Sequence, residues 1–207
     1  MTLPYLPETP SQTAGPYVHI GLIPNQAGFD IFANNFGADI AGPDVAGERV
    51  TIEGRIFDAA GHVTKDVLIE TWQANAAGRY NHPSDHQDKP LDTAFRGFAR
   101  TGTDFESGIY RITTIKPGQV AGRRGRKTMA PHISFFIAAR GINTGLSTRM
   151  YFSDETAANA DDPVLNIIEP AARRQTLIAA RAMRDGTAVY TFDIHLGGER
   201  ETVFFDV

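Results

Sequence analysis

At 207 residues, 42% hydrophobic and 21% charged, the chain is long enough for one packed domain with an additional arm or helix, and its composition is that of an ordinary globular protein. A formal net charge of −4 and a pI near 5.8 exclude the basic excess that a nucleic-acid or anionic-membrane partner usually needs. The absence of cysteine excludes disulfides, thiolate metal ligands and a cysteine nucleophile, so any metal must be held by nitrogen and oxygen.

Met1 to Pro10 carries three prolines and no apolar stretch of signal-peptide length. No apolar run reaches membrane-spanning length, and a cytoplasmic location is expected. Pro4, Pro7, Pro10, Pro16 and Pro24 each remove a backbone donor and fix φ, which opposes both helix interior and central strand. Residues 1–48 therefore read as an extended arm without regular structure, followed by one β-rich domain over 49–207. An arm carrying Tyr5, Leu6, Tyr17, Val18, Ile20 and Leu22 has little way to bury those side chains alone, and is expected to wrap a partner subunit.

From Arg49 the pattern changes: Val50, Ile52, Gly54 and Ile56 alternate with Thr51, Glu53 and Arg55, the period of a half-buried strand. Turn residues Asp58 to Gly61 then lead to a second strand over Val67–Trp72, and the two are expected to form a hairpin. Further strands are expected at Gly108–Ile115, His132–Arg140, Thr148–Phe152, Ala188–Leu196 and Glu201–Phe205. The cluster Arg123, Arg124, Arg126 and Lys127, set among glycines, reads as a solvated loop. A short helix is expected from Pro170 to about Met183, with proline in its first turn, alanine and arginine in its body, and Asp185-Gly186 ending it. The set is mostly β and fits a two-sheet sandwich best.

The densest cluster of chemistry runs from Trp72 to His82, through Tyr80, with His86 close behind and His132 on a later strand. Tyrosinate and imidazole suit ferric iron, but a tyrosine after Gly-Arg also suits a core or loop aromatic, and on residue types alone both readings stand. Trp72 reads as a packed core residue.

Four separated stretches resemble the intradiol ring-cleaving dioxygenases: Thr9–Tyr17; Gly54–Gly61 with Ile69–Ala74; Thr114–Gly118; and Ala130–Ile133. The stretches Arg140–Asn143 and Glu201–Asp206 are similar to the alpha-type chains of that family. The resemblance implies a prealbumin-like β-sandwich fold and a homologous beta subunit that carries Fe(III) on two tyrosines and two histidines. It also implies a reaction: O2-dependent cleavage of protocatechuate to 3-carboxy-cis,cis-muconate.

Carried onto this chain, the four ligand positions are Tyr80, Val120, His132 and Ser134. Only the first and third could bind a metal. A histidine at 134 would lie on the same strand face as His132, because side chains repeat every two residues. Met129 stands where the family carries an arginine near the reacting ring. The resemblance thus implies a vestigial site with no metal and no catalytic residue in this chain. It also implies that Arg140, Thr13, Gly15, Pro16 and Tyr17 line the pocket of the partner. Guanidinium suits a substrate carboxylate, Gly15 permits close backbone approach, and Pro16 fixes the path of the arm. Two other readings remain: a homomeric dioxygenase whose iron site adds another ligand, such as His82 or His86, and a non-enzymatic prealbumin-like binding module.

Overall fold

In the computed structural model, which describes residues 7, 9–10, 12–122 and 127–206, the regular structure begins with helix α1, Tyr17–Leu22. Strands β1 (Arg49–Phe57), β2 (Leu68–Trp72), β3 (Phe98–Gly102), β4 (Ile109–Ile115), β5 (His132–Ala138) and β6 (Leu146–Phe152) follow. Helices α2 (Thr156–Asp161) and α3 (Ala171–Gln175) precede β7 (Ile178–Arg184), β8 (Thr187–Thr191) and β9 (Ile194–His195). The strands run in one order, β3-β2-β5-β6-β7-β8-β1-β4, with β9 beside β1. The first and second halves of this path meet at a short parallel seam, where Tyr151 and Phe152 pair with Ile178 and Ala179. The end strands β3 and β4 approach each other again, so the sheet is nearly closed and barrel-like.

Alternation sets which residues fill it. Val50, Ile52 and Ile56 of β1, Ile133, Phe135 and Ile137 of β5, and Tyr190 of β8 all turn into one core. Burying each such side chain contributes about 1.5–3 kcal/mol. Gly54 is inward too, and must be glycine: a Cβ there would sit 2.0 Å from the Phe192 carbonyl oxygen.

Several expectations are corrected. The strands β1 and β2 do not form a hairpin; β1 pairs with β4, β8 and β9, while β2 pairs with β3 and β5. The unforeseen β3, whose Phe98-Ala-Arg-Thr-Gly has little β-branched content, is β2's partner on one side. The expected helix to Met183 stops at Gln175, and Ile178–Arg184 is strand. Asp185 and Gly186 have φ of 50° and 79° and connect the facing pair Arg184 and Thr187. They are the two-residue turn of a hairpin rather than a helix stop, and pairing overrides the helical propensity of alanine and arginine. The stretch Ala188–Leu196 breaks between β8 and β9, and Glu201–Phe205 is reduced to a single bridge between Phe205 and Ser147.

The first 48 residues are not wholly irregular. Beside α1, residues 38–40 lie along β4, with Asp39 bridged to Thr113, and Ile40, Ala41 and Val45 are buried in the chain's own core. By contrast Tyr17, Leu22, Phe29, Ile31, Phe32 and Phe36 are exposed. Tyr5, Leu6 and the cluster Arg123, Arg124 and Arg126 lie outside the described residues, and Lys127 is exposed.

Candidate functional site

Two groups of side chains stand at opposite ends of β5. At its start, His132 is 3% exposed, and its Nδ1 lies 2.7 Å from the Ala130 carbonyl oxygen. A carbonyl only accepts, so Nδ1 carries the proton. Burial first, and the Arg149 charge second, push the imidazole down to about 4, leaving it neutral at pH 7. The Ala130 position is itself fixed by Asp162, which is wholly buried: it accepts from the amides of Ala130, Val164 and Leu165 and from the Tyr151 hydroxyl.

Register places the neighbours. Trp72, Ser134 and Arg149 face one another across β2, β5 and β6, on the side turned away from the core. Tyr80 stacks on Trp72, with ring centroids 5.7 Å apart and planes 13° from parallel. The loop that delivers Tyr80 is pinned by Asn75 Oδ1, which accepts from the amides of Ala77 and Arg79 at 3.0 and 2.9 Å. Gly78, at φ 81°, closes the loop against Gln119, whose carbonyl oxygen would lie 1.8 Å from any Cβ. Trp72 is therefore half-buried on the outer face, not the core residue expected from sequence.

The four carried-over positions do not fit iron. Tyr80 and His132 have the right chemistry, but Val120 is buried hydrocarbon, locked by a two-way backbone bridge to Met129. Ser134 offers a neutral hydroxyl and faces the Arg149 cation across the strand pair. Arg149 donates to Met129 Sδ at 3.5 Å. His82 lies edge-on to Trp72 and His86 is exposed. Among the described residues no group of three or more His, Cys, Asp or Glu side chains could hold a metal.

At the other end, Arg140 pairs with Asp66 at 2.5 Å while its side chain remains 63% exposed. Thr13 Oγ1 accepts from the Gly141 amide at 2.6 Å, which ties the arm to the same turn. Gly15 and Pro16 lead directly into α1, where Tyr17 is 81% exposed. Buried His19 of α1 sits edge-on to Phe105, and its pKa is lowered by burial, against the pull of Asp66. The structure thus brings Thr13 and Arg140 together, with Gly15, Pro16 and Tyr17 following on the same arm, and leaves all five apart from His132. Strand β5 alone, from His132 to Ala138, spans roughly 20 Å, and Arg140 lies in the turn beyond its far end. Sequence reasoning missed Arg149 and Asp66. The outward parity of Arg149 in β6 is legible, but its position opposite Ser134 depends on the register.

The chain matches the Dioxygenase family model over residues 33–198. It is 48% identical over 206 residues to the protocatechuate 3,4-dioxygenase alpha chain of Pseudomonas putida, covering 100% of both chains. It is also 37% identical over 191 residues to the beta chain of the same-named enzyme from Burkholderia cepacia, covering 84% of this chain and 80% of that one. Among solved structures, the dioxygenase domain of a carbohydrate-binding fusion protein from Streptomyces sp. SirexAA-E shares the fold, with a TM-score of 0.55 at 23% identity, over 92% of this chain and 99% of that one. No helix among the described residues is long and apolar enough to cross a membrane. Full-length identity to one such chain, together with the family model matched over most of its length and a β-rich fold shared with a solved dioxygenase, shows that this chain belongs to the intradiol dioxygenase family.

Proposed function

We propose that this chain is the alpha-type subunit of an enzyme that cleaves protocatechuate with O2 to 3-carboxy-cis,cis-muconate, working beside a homologous beta subunit that holds Fe(III). One observation carries the reading: the chain aligns end to end with a named alpha chain, yet Val120 and Ser134 deprive its own site of half a ligand set. Held by the partner, Fe(III) would supply Lewis acidity toward the hydroxylated ring. This chain supplies walls and charge. Arg140, exposed and held outward by Asp66, meets the substrate carboxylate, and Thr13, Gly15, Pro16 and Tyr17 complete the partner's pocket beside it. Exposed Tyr17, Leu22, Phe29, Ile31, Phe32 and Phe36 form the part of arm 1–48 that wraps the partner. We read the two halves of the strand path as the two layers of a sandwich with β6–β7 as their hinge, and the assembly as a cytoplasmic one.

Co-expression with an iron-bearing beta chain tests this. The expected result is a stable complex that consumes one O2 per protocatechuate and releases the ring-opened tricarboxylate. Failure to co-purify, or a partner fully active without this chain, contradicts it.

A further inference from the structure

We propose that this chain has a small-molecule site of its own, on the outer face of β3-β2-β5-β6, which takes a planar aromatic carboxylate with Arg149 as its charge partner. The inference does not depend on the role of Arg140 in a partner's pocket.

The face is built by register in two rows. Phe98, Trp72, Ser134 and Arg149 lie side by side across the four strands, and Arg100, Glu70, Phe136 and Ser147 form the row beside them. Phe205, bridged to Ser147, stands against this face and turns it into a cavity of about 490 Å³. That size is within the range of small-ligand sites. An outward sheet face normally alternates toward polar residues, whereas here Trp72, Phe98, Phe136 and Phe205 supply aromatic walls, with Phe136 40% exposed. Flat apolar walls suit a flat ring, held by stacking and edge contacts.

Charge selects the rest of the ligand. Of the ionic groups in the cavity, Glu70 is neutralised by Arg100 at 2.6 Å, and Asp206 is exposed. Arg149 differs: among the described residues it forms no ion pair with a carboxylate. The side-chain atom it does bond, Met129 Sδ, is uncharged, and steadies the guanidinium without cancelling its charge. A half-buried guanidinium at one end of an aromatic slot matches a ring bearing a carboxylate, which it can engage through two parallel hydrogen bonds. The hydroxyls of Ser134 and Ser147 are placed to add neutral contacts. With Arg149 as its charge partner, this site reads the carboxylate: benzoate should bind, whereas catechol and benzamide should not.

Equilibrium dialysis of labelled benzoate against the assembled full-length chain tests the proposal. The expected result is one saturable site per copy of this chain, additional to the partner's own pocket, that Arg149→Gln weakens at least tenfold, that Arg149→Lys restores in part, and that benzamide does not fill. Equal binding by wild type and Arg149→Gln overturns it, as does equal binding of benzoate and benzamide. A second measurement needs no variant. In crystals of the assembly grown with 4-bromobenzoate, an anomalous bromine peak between Trp72 and Phe136 supports the site; bromine confined to a partner's pocket, or a partner side chain filling the cavity, overturns it.

Discussion

Replacing Arg140 with alanine should separate function from stability. The Arg140–Asp66 pair, although only 2.5 Å long, has a guanidinium side chain that is 63% exposed, so solvent screens it. Its removal should cost about 0–1 kcal/mol, a fall in Tm of no more than roughly 2–4 °C for a domain of this size. The effect on substrate binding in the assembled enzyme should be larger. A charge-assisted hydrogen bond to the carboxylate contributes about 1.5–3 kcal/mol, which corresponds to a roughly ten- to hundredfold rise in KM for protocatechuate, since about 1.4 kcal/mol is a factor of ten. Steady-state O2 uptake by the Arg140→Ala complex measures the effect on substrate binding, and thermal unfolding of the same sample measures the effect on stability. An unchanged KM, or a KM that rises only together with a large drop in Tm, refutes the assignment of Arg140 to the substrate carboxylate.

Three further outcomes are expected. Asp162→Ala removes the acceptor for three backbone amides and a tyrosine hydroxyl, and should cost about 3–5 kcal/mol in denaturant unfolding; a loss below about 1 kcal/mol would show that those groups find other partners. Gly78→Ala forces a Cβ to within 1.8 Å of the Gln119 carbonyl oxygen at φ 81°, so the loop must move. A stability loss of about 2 kcal/mol or more is expected, with changed Tyr80–Trp72 packing read as a shift in the near-ultraviolet circular dichroism of the single tryptophan. His132 has a folded pKa pushed down to about 4 from an ordinary 6.5, so the unfolded chain binds the extra proton first. Its contribution is therefore full above about pH 6.5 and is lost as pH falls toward about 4, by at most roughly 3 kcal/mol. A histidine-to-glutamine change at 132 should flatten that part of the stability profile; an identical slope in wild type and variant would place the titration elsewhere.

How much of this was legible depends on whether the information is local. The alternation of Val50, Ile52, Gly54 and Ile56 is local, and it became β1 with those residues inward. Which strand pairs with which is not local. Nothing in the stretch from Arg49 to Trp72 says that β1 will bypass β2 for β4, and the turn residues between them suggest the opposite. Asp185-Gly186 shows the same limit at shorter range, because a helix end and a hairpin turn use the same residues. The strand partner Thr187–Thr191 decided between them, burying Ala188, Val189 and Tyr190 as the helix could not.

The candidate site follows this pattern. The chemistry of Tyr80, Val120, His132 and Ser134 can be read one residue at a time, and so can the poor fit to iron. The positive charge opposite Ser134 and the aromatic rows beside it arise only when four strands take their register. Arg140 was legible as a cation near a strand end, but its pairing with Asp66, and the bond from the neighbouring Gly141 amide to the Thr13 hydroxyl, join residues far apart in the sequence.

The most direct test of the division of labour is to measure iron content and protocatechuate-dependent O2 uptake for this chain alone and then for the chain co-expressed with its beta partner. The account predicts an iron-free, inactive chain and an iron-loaded, active complex. Stoichiometric iron and turnover in the chain alone would contradict it, and would mean that Tyr80 and His132 recruit further ligands despite Val120, Ser134 and Arg149.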